Sequence, residues 1–397
     1  MMNKHFFLLP AVFFLLACGC SSRTDRPSSG KQIHFDYKEA VENFDIGTIT
    51  DSVVQIIPLE TTGNSLIAKI DKIEIKNNTI YIKDDLAKSV YVYDINGKYL
   101  NKIHAVGQGP GEYSNLSYMT VTDTSIVVLD HFMGKHIEYR LPDMKFMREE
   151  RLFDKIWATE VFALPGTLYY YNGWSNSQSG KYHLFSRKTG EADYNKYMPF
   201  EKEPLSLGIN GPEYAVNGNE ASLIFSGDNM IYRINAGGEA YSEYEMVFKN
   251  EKVAYASGKV ENVFRDNPPG RILNINAINE SDRYLFIDVS VTTDGNKPIQ
   301  PGNHGVYTCL YDKSSGQMTI YPQLAFNSKF DGEQTVVLRV IDNKIITWRE
   351  ANIIQFLNEA FYSKQTFVNK TYEKRLKEVV SNLRNDDNPV LFIYNLK

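Results

Sequence analysis

The chain has 397 residues, with 43 Lys+Arg against 48 Asp+Glu for a formal charge of -5, and 43% apolar, 13% aromatic and 23% charged residues. That composition excludes a disordered chain, which lacks aromatic and β-branched side chains, and it leaves ample length for a buried core. It also excludes bulk neutralisation of phosphates, so no nucleic-acid partner is expected.

At the start, Lys4 and His5 precede Phe6 to Ala17, an apolar run that contains Pro10. About twelve residues are too few to cross roughly 30 Å of hydrocarbon as a helix, so the run reads as an export signal and not as a retained span. It ends in Leu15-Leu16-Ala17-Cys18-Gly19-Cys20-Ser21-Ser22, which resembles the bacterial lipobox. Cys18 has Leu15 three places before it and is the expected lipidation site. Cys20 is the alternative, with Ala17 in that place. A thioether-linked diacylglycerol plus an amide-linked chain would bury tens of CH₂ groups at ~0.8 kcal/mol each, a firm hold on a membrane. The expected layout is therefore a signal peptide over 1–17, a lipidated cysteine and flexible tether over 18–50, and one domain over 51–397. The third cysteine, Cys309, has no evident partner, so disulfides are not expected to hold the fold.

Past residue 50 the chain reads as short alternating strands divided by turn residues. Ile73-Glu74-Ile75, Ile80-Tyr81-Ile82, Val90 to Tyr93 and Tyr99 to Ile103 make a four-stranded meander with a turn at Asp94 to Gly97. Turns then recur at Pro142-Asp143, Thr189-Gly190 and Ala236-Gly237-Gly238, a repeat of about 47 residues. A further unit with its turn at Ser315-Gly316 follows the insertion Lys249 to Arg271. Four strands per repeat predict propeller blades. Five are complete by residue 323. The sixth begins with Val336 to Val340 and Lys344 to Trp348, and it is interrupted by Ile353 to Leu383. Within that interruption Leu376, Val379, Val380 and Leu383 lie on one face of a predicted helix over Tyr372 to Leu383. The final strand, Pro389 to Tyr394, is expected to share a blade with Val53 to Leu59, closing an all-β six-bladed β-propeller without an exposed sheet edge.

No catalytic set stands out. The seven histidines, His5, His34, His104, His131, His136, His183 and His304, show no zinc spacing, and no metal or cofactor is expected. Asp84-Asp85 and Asp130 close the second strand of successive blades and suit turn capping better than acid–base work. Gly107-Gln108-Gly109-Pro110-Gly111-Glu112-Tyr113 lacks the Lys-Ser/Thr ending of a phosphate loop, and its glycines suit a blade crossing. Gln108, Glu112 and Tyr113 are candidate ligand residues at the channel mouth. Trp174, in the polar stretch after Tyr169-Tyr170-Tyr171, is the leading recognition residue, because exposed rings stack on sugars or peptides.

Taken together, the lipobox, Val54 to Glu60, Gly107 to Tyr113 and Asp387 to Tyr394 resemble the bacterial six-bladed β-propeller lipoproteins related to NHL-repeat propellers. The resemblance spans nearly all of the mature chain and implies architecture and an envelope location much more than any activity, since a fold hosts many functions. The expected role is a binding module anchored through its lipid, on the periplasmic or surface face of an outer membrane, for a protein or glycan partner. The alternative is a hydrolase or lyase at the central channel, with or without a divalent metal.

Overall fold

A computed structural model describes residues 30–397 except 43, 154, 173–181, 200–212, 226, 254–267, 295–304, 324–325, 329–332, 335–338, 365–366 and 368. Six four-stranded antiparallel blades form the ring. The innermost strands are Lys72–Lys76, Tyr118–Val121, Glu160–Leu164, Tyr214–Asn217, Ile272–Glu280 and Arg339–Ile341. The corresponding outermost strands are Tyr99–Ile103, Phe146–Arg151, Asn195–Pro199, Ala240–Phe248, Met318–Pro322 and Thr50–Pro58. Alternation along each strand sends apolar side chains into the space between blades, where Ile80, Val92, Ile126, Val128, Tyr169 and Ile287 are buried.

The recurring turns join the third and fourth strands of the first five blades. Each has a residue of left-handed backbone: Gly97, Met144, Gly190, Gly238 and Gly316. At Gly97 the need for glycine is twofold. Its φ is +87°, and an added Cβ would stand 2.3 Å from the Pro58 carbonyl oxygen on the closing strand.

Closure follows the expected pairing. Thr50–Pro58 lies antiparallel to Val390–Leu396, with Pro58 opposite Val390, Ile57 opposite Leu391 and Ile56 opposite Phe392. Among the described residues, the interruption of the sixth blade holds two α-helices, Ala351–Ala360 (α1) and Lys370–Asn382 (α2). The second is the expected one. Its N-terminus is capped by Asn369, whose side chain accepts from the Tyr372 N–H at 3.0 Å. Its apolar face (Tyr372, Leu376, Val379, Val380) packs with Ile56, Val390 and Phe392 of the closing sheet.

One expectation is corrected. Within the stretch 18–50 expected as a tether, Lys31–Phe35 forms a fifth strand on blade four, parallel to Ala240–Phe248. Ile33 and Phe35 are buried while Lys31, Gln32 and His34 face outward, so a short alternating strand docks on the sheet edge. The segment continues around the ring. The Val41 N–H donates to the Ile320 carbonyl of blade five at 2.8 Å, and Phe44–Asp45 pairs with Phe326–Ser328 before the closing strand begins. Residues 31–50 are thus a strap over the outer edges of blades four and five. Cys309 is free and buried.

Candidate functional site

Two groups of buried charges stand out among the described residues of the ring. Some are consumed between blades. Between blades four and five, Glu280 accepts from both Arg233 guanidinium nitrogens at 2.8 Å, from Lys313 at 2.7 Å and from Ser222 at 2.6 Å. Between blades two and three, fully buried His136 meets the Tyr170 hydroxyl at 2.6 Å, and Arg187 pairs with Glu150 alongside it. Burial, reinforced by Arg187, holds the His136 imidazole neutral down to about 3. An unfolded histidine titrates near ~6.5, so the unfolded chain binds the extra proton first. Stability is expected to be full above pH 6.5 and to fall by about 1.4 kcal/mol per pH unit from this group as pH drops toward 4. Denaturant titrations at pH 7 and 5 check this, and His136→Gln should flatten the slope.

The second kind converges on the axis. Lys72, Tyr118 and Glu160 open the innermost strands of blades one to three, and Glu213 immediately precedes that of blade four. All four lie at the end where the chain enters each blade. The β-strand register explains the convergence, since each stands four residues before the residue leading into its first hairpin turn. Arg339 arrives from blade six and Glu74 from the same strand as Lys72.

Lys72 is held tightly. Its Nζ donates to the Met119 carbonyl at 2.6 Å and the Tyr214 hydroxyl at 2.8 Å, pairs with Glu74 at 2.7 Å, and sits 4.1 Å from the Tyr118 ring centroid. Burial brings its ammonium down to about 8. The Arg339 guanidinium lies over the Tyr214 ring at 5.7 Å. Glu160 and Glu213 each keep one buried oxygen, Oε2, without a hydrogen-bond partner. Burial raises both carboxyls, and Glu160 raises its neighbour further, so that Glu213 is pushed up to about 9. Two such acids beside a lysine and an arginine can donate or accept a proton and can bind an ionic or strongly polar group.

The residues singled out in the sequence lie elsewhere. Tyr113 is fully buried and its hydroxyl donates to the Lys88 carbonyl at 2.9 Å. Glu112 accepts from the Gly109 N–H at 2.9 Å within its own loop, and Gln108 is exposed. Their loop leans on the outermost strand of blade two, where the Gly111 N–H donates to Glu149 at 2.9 Å. The loop of Gln108, Glu112 and Tyr113 follows the outermost strand of blade one and touches the outermost strand of blade two before the chain turns inward. Trp174, Cys18 and Cys20 lie outside the described residues. Asp84 and Asp130 cap loops as expected, with Asp84 accepting from the Ala68 N–H at 2.7 Å and Asp130 from the Ser114 N–H at 2.7 Å. Among the described residues no three His, Cys, Asp or Glu side chains stand together as a metal set, and no helix is long and apolar enough to cross a membrane.

The family model described as a domain of unknown function, DUF4934, matches residues 32–395, and the chain belongs to that family. Its fold is similar to that of a candidate exported protein from Bacteroides fragilis, at 19% identity and a TM-score of 0.68, covering 92% of this chain and 100% of the other. A member of the duf4221 family from Bacteroides vulgatus aligns at 10% identity and a TM-score of 0.48, covering 88% and 97% of the two chains. No curated protein matches the sequence.

Proposed function

We propose that this member of the family is a lipid-anchored, NHL-like propeller of the cell envelope that serves as a binding module for a protein or glycan partner. Its ligand would enter at the axial end. The supporting observation is the contrast among buried charges: those between blades are satisfied, whereas Glu160 and Glu213 keep unpartnered oxygens where several blades meet. The same end of the ring carries exposed Leu66, Leu86 and Phe132, apolar area suited to a larger partner around a polar centre. A pull-down from envelope extracts and a glycan array with the mature chain test this. The expected result is a partner whose capture is lost on Glu160→Ala; capture unchanged by that substitution overturns the axial placement.

The anchor carries its own expectation, an attachment at the outer membrane through Cys18. Replacing Cys18 with Ser should abolish incorporation of labelled fatty acid and release the protein from membranes. Incorporation that persists identifies Cys20 as the acceptor.

The second reading, a hydrolase or lyase at the channel, draws support from the raised carboxyls of Glu160 and Glu213. A substrate panel decides it: turnover abolished by Glu213→Gln supports catalysis.

A further inference from the structure

We propose that the outer edge of the closing strand Thr50–Pro58 is a binding site on the rim of the ring. Its ligand is an extended acidic peptide that adds to blade six as a fifth strand. The site is separate from the axial cluster and goes beyond the reading above.

Main-chain geometry carries it first. The Leu59 N–H donates to the Pro389 carbonyl at 3.2 Å, so Leu59, Ile57 and Gln55 form the pairs that bond across the seam. The N–H and C=O groups of Val54 and Ile56 therefore point out of the sheet. The Ile56 carbonyl shows that direction, since it accepts from Arg375 of α2 at 3.4 Å. Among the described residues no strand pairs with this edge. Past Ile57 the edge is shut: the Glu60 N–H donates to the Gly97 carbonyl at 2.8 Å, and Gly97 backs onto the Pro58 carbonyl.

The open part borders a groove of about 590 Å³, which runs along Val54 to Ile57 between Ile95 of blade one and Arg375 of α2. That volume suits a short stretch of chain, and an unpaired strand edge is a template for another strand. The ring already uses the mode, because the outermost strand of blade four carries Lys31–Phe35.

Charge complementarity selects the occupant. Arg375 is the one charged residue among those described that line this groove. Its pairing with Glu378 at 3.1 Å leaves the side chain 43% exposed. Val54 and Ile56 face α2, whereas Ile57 packs on the opposite face with Ile95. An incoming residue opposite Ile56 shares its face and lies toward Arg375, so it suits Asp or Glu. The residues on either side of it lie toward Ile95 and suit apolar side chains. Beyond Arg375 a smaller groove of about 270 Å³ carries Glu60, Glu378 and Asp387, so acidic charge fits at Arg375 and not past it. A basic residue opposite Ile56 would face the guanidinium, and a glycan has no amide ladder to match the edge.

Fluorescence anisotropy of the mature chain with a labelled, capped Thr-Val-Glu-Val-Thr peptide tests this, beside versions with Gln or Lys in place of Glu. The expected result is a dissociation constant below about 1 mM for the Glu peptide and binding at least about 10-fold weaker for the Lys peptide. N-methylation should act with a period of two. Methylating the Glu amide and methylating both Val amides should have opposite outcomes, one abolishing binding and the other sparing it. Arg375→Glu, at a partly exposed position, should reverse the preference toward the Lys peptide, with the melting temperature as a folding check. Equal binding of the Glu and Lys peptides overturns the acidic assignment. Methylation that is harmless at both sets of amides, or destructive at both, overturns strand addition. A preference unchanged in Arg375→Glu overturns the placement, and flat anisotropy with all three peptides overturns the site. Glu160→Ala should leave peptide binding unchanged, so this site and the axial reading stand or fall separately.

Discussion

Replacing Glu280 with Ala is expected to lower stability by about 3–5 kcal/mol, the cost of leaving buried cations uncompensated. The Glu280 side chain is fully inaccessible to solvent, Arg233 is nearly so, and Lys313 is largely covered. Arg233 also meets Glu243, through Nε at 2.7 Å and Nη2 at 2.6 Å, but losing Glu280 still deprives Nη1 and the Lys313 ammonium of their carboxylate. The ordinary carboxyl range is undercut at Glu280 because Arg233 and Lys313 outweigh burial, so the charged form is the one the fold is built around. Glu280→Gln keeps an acceptor for Arg233 and should cost less, about 1–3 kcal/mol. Urea midpoints of the two variants supply the measurement. A loss below about 1 kcal/mol for the alanine variant would mean that water reaches these cations and that the blade interface is looser than described.

The second large effect concerns closure. A chain beginning at residue 60 lacks the closing strand, so the Val390–Leu396 edge loses its ladder and Phe392, Val390 and the face of α2 lose Ile56. Cooperative folding is expected to be lost, with aggregation through the open edge. A chain beginning at residue 50 keeps the seam but loses the strap, including buried Ile33 and Phe35. Each such side chain contributes about 1.5–3 kcal/mol of burial, so this version should fold with a clearly lowered midpoint. Thermal melts and limited proteolysis rank the two. If the chain starting at residue 60 melts with the one starting at residue 50, the seam is not what holds the ring shut.

The ring and its seam were legible because they rest on local signals. Val53 to Leu59 and Pro389 to Tyr394 alternate strongly, and the turns at Gly97, Gly190 and Gly316 need residues that tolerate positive φ. The strap was missed because Lys31–Phe35 pairs in parallel with a strand more than 200 residues away, and no hairpin turn advertises such a pairing. The first helix, α1, carries little apolar periodicity, because its buried positions are only Ala351 and Ile354. The axial cluster was the largest omission. Lys72, Glu160, Glu213 and Arg339 sit in separate blades, and each looks like an ordinary charge beside a strand. A signal did exist: aligning the blades on their first hairpin turn places Lys72, Tyr118, Glu160 and Glu213 in one column.

The strap also sets how the protein would respond to being pulled. Tension applied upstream of Lys31 reaches first the ladder between Lys31–Phe35 and Ala240–Phe248, which is parallel and short. The load then runs along the circumference, past the Ile320 contact and the pairing with Phe326–Ser328. Only after those have peeled away does force arrive at Thr50. The outer windings therefore act as a sacrificial slack, and a tug at the leading end can be absorbed while the six-fold wheel stays whole.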